Sequence, residues 1–147
     1  MKNESVKPKV ALDTKPLFKL FAKEKGWEIV QEILSKLEAE EIEAAVSVVT
    51  LTEIHYKYLQ EKRPDLAKTR VEELRHAIYL KKLEIDEEVA VKAGEYKGKY
   101  NVSIADAFIA AGAYFDGSIV ISDDPDFKTI PEIKALTEKE YISNLPT

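Results

Sequence analysis

Four short strand-like runs, separated by longer stretches with a helical repeat, constrain the fold of this chain more than any other feature. Val10-Ala11-Leu12 stops at Asp13-Thr14-Lys15-Pro16, which predicts a buried first strand ending in a turn or helix start, with proline at an early helical position. Apolar residues then recur at i, i+3 and i+4 over 17–24 (Leu17, Phe18, Leu20, Phe21) and 27–41 (Trp27, Val30, Ile33, Leu34, Leu37). Two helices in a hairpin around Gly26 are expected. Ala44–Val49 reads as the second strand. At Thr50-Leu51-Thr52-Glu53 the period changes to that of a helix carrying Ile54 and Tyr58 and running to Arg63, before Pro64 opens another with Leu66, Val71, Leu74 and Ile78. Leu83-Glu84-Ile85 is expected as a short third strand, followed by helices over Glu87–Tyr100 and Ile104–Phe115. Ser118–Ile121 is a buried strand running into Ser122-Asp123-Asp124-Pro125-Asp126-Phe127, and residues 130–147 show no clear pattern.

Strands alternating with helices imply the α/β class, as a three-layer α/β/α arrangement around a mostly parallel sheet with right-handed crossovers. A chain of 147 residues with 45% hydrophobic content can bury one sizeable core, so residues 1–147 are expected to form one domain. The net charge of -5, with signs interleaved, excludes a polycation that coats nucleic acid, so any RNA contact must be local or metal-assisted. The absence of cysteine excludes disulfides, thiolate zinc sites and a cysteine nucleophile. The polar segment Met1–Lys9 lacks a signal-peptide core, and no later apolar run approaches the roughly 18 residues of a membrane span. A cytoplasmic protein without a membrane contact is expected.

Aspartate is scarce, at 8 residues against 19 glutamates, and its placement is informative. In parallel α/β sheets ligands bind beyond the carboxyl ends of the strands. Asp13 and Asp124 each follow a strand end, while Glu53 and Asp106 are expected in the first turn of a following helix, so all four can face one crest. Carboxylates gathered in one cleft repel each other and are costly to desolvate unless a cation compensates. With oxygen ligands only, the expected ion is Mg²⁺ or Mn²⁺ rather than zinc. Each acid also has a local reading. Thr50-x-x-Glu53 has capping-box spacing, Ser103-x-x-Asp106 the same with a shorter acid, Asp13 can cap the next helix, and the aspartates at 123, 124 and 126 suit a turn. His55 and His76 lack ligand spacing.

These blocks resemble the PIN-domain family, and within it the small VapC-like toxin ribonucleases of prokaryotic toxin–antitoxin pairs. Val10-Ala11-Leu12-Asp13-Thr14 is similar to the family's opening strand and first acid, and Ser47-Val48-Val49-Thr50-Leu51-Thr52-Glu53-Ile54 to its second. Ser103-Ile104-Ala105-Asp106-Ala107-Phe108-Ile109-Ala110-Ala111 is similar to the third. Ile121-Ser122-Asp123-Asp124-Pro125-Asp126-Phe127 resembles the closing T/S-x-D-x-D-F motif, which makes Asp124 the fourth acid, Asp126 a further variable one and Asp123 unconstrained.

The resemblance implies Mg²⁺- or Mn²⁺-dependent cleavage of single-stranded RNA, a homodimer, and inhibition by a small antitoxin whose tail enters the acidic groove. It implies Asp13, Glu53, Asp106 and Asp124 as the catalytic set, with Asp13, Asp106 and Asp124 as metal ligands and Glu53 positioning a water or a second ion. Thr14, Ser122 and Asp126 are expected to support the ligands, and Lys15 to contact a phosphate. Basic residues near the groove, among them Lys19, Lys23, Lys57 and Arg63, are further candidates for phosphate contact. Many relatives carry Asn or Ser where this chain has Lys15. That substitution supports the alternative reading, a catalytically silent module that binds RNA or a protein and keeps the acids as caps.

Overall fold

In the computed structural model, residues 7–145 are described, so the first six residues of the polar Met1–Lys9 segment and the last two of the tail lie outside it. The chain runs β1 (Lys9–Leu12), α1 (Thr14–Ala22), α2 (Trp27–Glu38), β2 (Glu43–Ser47), α3 (Val49–Gln60), α4 (Pro64–Arg75), β3 (Leu80–Leu83), α5 (Glu87–Lys99), α6 (Ile104–Asp116) and β4 (Ile119–Ile121). A 3₁₀ turn (Pro125–Thr129), β5 (Ala135–Leu136) and α7 (Glu138–Ser143) follow. The strands form one parallel sheet in the order β3-β2-β1-β4-β5.

Both faces of the sheet are covered, as the continuous apolar strand sequences require. Because strand side chains alternate, Val10 and Leu12 of β1 point into one core, with Leu17, Ile33, Ile54, Leu74 and Tyr141, and Ala11 points into the other, with Tyr96, Ile109 and Phe127. Helices α1–α4 and α7 thus pack on one face and α5 and α6 on the other, the three-layer α/β/α arrangement expected. Among the described residues no helix is long and apolar enough to cross a membrane.

Four sequence expectations need correction. The third strand is Leu80–Leu83 rather than 83–85: Leu80 and Leu83 are buried, whereas Ile85 is 36% exposed. Lys81 and Lys82 hid it, because an edge strand tolerates lysines that would break a central one. Helix α4 ends at Arg75, so Ile78 lies outside it and is 96% exposed. The second strand ends at Ser47, because Val48 and Val49 already begin α3. Thr50-x-x-Glu53 is therefore not a capping box; both residues lie within α3, and the Ser47 hydroxyl instead accepts the Val49 N–H at 3.1 Å.

The connectivity positions the site. From β1 the chain builds outward to β2 and β3, then returns to the other side for β4 and β5, so the winding reverses between β1 and β4. Leu12 pairs with Ile121, and Asp13 N–H continues the ladder to the Ile121 carbonyl at 3.1 Å. Asp13 and the Ser122–Asp126 segment thus leave neighbouring strand ends at the switch point, where such sheets open a crevice.

Candidate metal centre

Asp106, Asp124 and Asp126 each offer a carboxylate oxygen, and these three atoms lie within 4.8 Å of one another. Three different local devices bring them there. The Ser103 hydroxyl caps α6 by accepting the Asp106 N–H at 3.1 Å, which sets Asp106 on the first turn. Ser122 Oγ accepts the Asp124 N–H at 3.0 Å, and Asp124 Oδ1 accepts the Asp126 N–H at 2.9 Å. The aspartates around Pro125 therefore do form a turn, and the turn is what aims two of them at Asp106.

Asp13 sits behind this trio, 4% exposed, with both oxygens engaged: Oδ1 accepts the Thr14 N–H and Oδ2 the Ser122 hydroxyl, each at 2.7 Å. Asp126, expected as a supporting group, stands with Asp106 and Asp124, while Asp13 is the acid most tied into the protein. Glu53 lies beyond the first turn of α3, a turn deeper than expected, and its Oε1 accepts the Thr14 hydroxyl at 2.6 Å. Since Thr14 spends its only hydroxyl proton on Glu53, the 3.0 Å contact with Thr50 Oγ1 makes Thr50 the donor to Thr14. Thr50, fully buried, orients the Thr14 hydroxyl rather than capping α3 as its spacing predicts. The signal was present in its i, i+4, i+8 spacing with Ile54 and Tyr58, the other buried residues of α3.

The gathered acids repel. Asp106 is pushed up to about 7, first by burial and then by the charges of Asp13, Asp124 and Glu53, against the hydrogen bond from Ser103. Burial also raises Asp13, against its bonds from Ser122 and Thr14 and with help from Glu53 and Asp124. A cluster of hard oxygen donors that disfavours its own ionisation fits a divalent cation such as Mg²⁺ or Mn²⁺.

The flanking residues resolve less uniformly. Lys15 is exposed and forms no ion pair with the acids among the described residues. Lys19 is not a free rim cation, because its ammonium is bonded to Asp123 and Glu138. Lys23 lies 5.3 Å from the centre of the Trp27 ring, Lys57 at the same distance from Phe18, and Arg63 pairs with Asp65. A cavity of about 540 Å³ lies at the opposite end of the sheet against Lys9, Glu43 and Lys81, and none of the site acids lines it.

A family model described as the PIN domain matches residues 10–133, a span that includes all five acids. The chain belongs to the PIN-domain family. Over 100 residues this PIN protein is 33% identical to Ribonuclease VapC4 of Mycobacterium tuberculosis, a match covering 65% of the chain and 77% of that relative. The fold is shared with VapBC2 from Rickettsia felis, solved with a promoter DNA fragment, at 17% identity, TM-score 0.72, and coverage of 88% of this chain and 98% of that one. DNA-bound VapBC from Salmonella typhimurium is similar at 23% identity and TM-score 0.69, covering 89% and 98%.

Proposed function

We propose that this PIN protein is a Mg²⁺- or Mn²⁺-dependent endoribonuclease and the toxin of a toxin–antitoxin pair. The observation that carries the reading is the convergence of Asp106, Asp124 and Asp126 within 4.8 Å at the switch point of the sheet, in a cluster that lifts Asp106 to about 7. Asp13 and Asp124 also cap the elements that follow them, as a silent module would have them do, but gathered acids without a cation destabilise one another, which favours the metal reading.

Asp106, Asp124 and Asp126 would hold the cation, with Asp13 completing the set from behind. The bound ion supplies Lewis-acid chemistry at a phosphodiester and compensates the cluster's charge so that an RNA strand can approach a chain of net charge -5. Thr14 and Ser122 orient Glu53 and Asp13 by hydrogen bonds, as outer partners of metal ligands do. Glu53, anchored through Thr14, is the group to position the attacking water or a second ion. Lys15, exposed and close in sequence to Asp13, is the candidate phosphate contact.

Solved structures of the same fold include a toxin–antitoxin complex from Klebsiella pneumoniae, which supports an antitoxin as a partner here, and the family resemblance adds a second copy of this chain. The test is cleavage of a mixed RNA pool with Mn²⁺ against an EDTA control. Asp106→Asn is expected to lower the Mn²⁺-dependent rate by about a hundredfold or more. Undiminished cleavage by that variant overturns the assignment.

A further inference from the structure

Asp123 has no place in the metal trio, yet both of its oxygens are bound. Oδ2 accepts the Lys19 ammonium of α1 at 2.7 Å, and Oδ1 accepts the Glu138 N–H at the start of α7 at 3.1 Å. The same ammonium reaches the two Glu138 oxygens at 3.1 and 3.0 Å. Glu138 is 2% exposed, and a carboxylate that deep in a protein is tolerated only when paired. Lys19 thus joins three elements distant in sequence: α1, the loop after β4, and α7, which lies beyond the stretch matched by the family model.

We infer that Lys19, Asp123 and Glu138 form a clamp that sets the Ser122–Asp126 loop, making Lys19 and Glu138 positioning residues for the carboxylates of Asp124 and Asp126. The loop is held from two sides. On the inner side Ser122 donates to Asp13 Oδ2 and accepts the Asp124 N–H. On the outer side the Ser122 N–H donates to the Leu136 carbonyl at 3.0 Å, and beyond that ladder bond Asp123, one residue from Asp124, is held by Lys19 and the Glu138 amide. Releasing Asp123 frees the backbone between Ser122 and Asp126 to turn, and the 4.8 Å convergence depends on that backbone. The consequence for metal rests on the metal-centre reading above, while the clamp itself does not.

Two readouts keep these apart. Amide hydrogen exchange on the metal-free protein reads the clamp alone: in Lys19→Met the Asp124 and Asp126 amides are expected to exchange about tenfold faster, with those of β1 and β4 unchanged. Mn²⁺ titration reads the consequence: the dissociation constant is expected to rise about tenfold in Lys19→Met and to recover in Lys19→Arg, which restores the charge and its donors. Should Lys19→Met fail to fold, Asp123→Asn, whose side chain is 49% exposed, replaces it with the same expectations. Unchanged loop exchange overturns the clamp, and so does exchange accelerated throughout the chain, which would mark a general structural role. A wild-type protein that binds no Mn²⁺ overturns the metal reading instead and leaves the exchange result to decide.

Discussion

Asp106 carries the largest burden at the site, and its titration has a definite sign. Its carboxyl is raised from 3.8 to about 7, first by burial and then by neighbouring acids, so in metal-free protein the folded state favours its protonated form. That contribution to stability is whole below 3.8 and is lost as pH rises toward about 7. With EDTA present, the melting temperature should therefore fall between those limits, and Asp106→Asn should flatten the fall. Mn²⁺ affinity should rise over the same interval, since binding must displace that proton. Thr50 acts one step further out. Thr50→Val keeps the β-branched shape and removes the proton donated to Thr14, which should cost about 1 kcal/mol in urea unfolding. Cleavage should slow by about tenfold, as for other outer partners of metal ligands.

Helix α6 shows how one element serves both fold and site. At its start the Ser103 cap fixes the turn bearing Asp106; at its end Gly117 adopts φ 72°, a left-handed conformation in which its amide returns to the carbonyls of Ala113 and Tyr114. No neighbouring atom lies within 4 Å of a Cβ built on Gly117, so the glycine is required by backbone conformation rather than by space. Gly117→Ala should destabilise the fold by about 1 kcal/mol in urea unfolding and leave Mn²⁺ affinity unchanged, because the site is at the other end of the helix. The opposite edge of the sheet illustrates the limit of pattern reading: β3 is anchored by Leu80 and Leu83 but presents Lys81 and Lys82, so no apolar run announces it.

For the whole molecule, the proposed metal binding would be linked to folding. An ion bound only by the folded state stabilises it by about 2.7 kcal/mol at a hundredfold excess over its dissociation constant. A Mn²⁺-induced rise in melting temperature is therefore expected in the wild type and should be much reduced in Asp13→Asn; indifference to Mn²⁺ would favour the silent module. Much of this was legible in the linear chain. Apolar runs and helical periods identify β1, β2, β4 and most helix positions because burial imposes those repeats locally, and the acid-bearing motifs carry the family resemblance for the same local reason. The resemblance of residues 121–127 to the family's closing motif also separated Asp124 from Asp123. The linear chain could not show that Asp126 joins the trio, that Thr50 faces Thr14 from 36 positions away, or that Lys19 answers Asp123 and Glu138 rather than solvent. The groupings of Asp126 and of Lys19 join residues brought together when the sheet reverses its winding between β1 and β4, and the Thr14–Thr50 contact needs β2 to lie beside β1. Sequence alone determined which groups this chain can offer; the tertiary structure decided which of them meet, because contact across a switch point depends on strand order and not on local repeat.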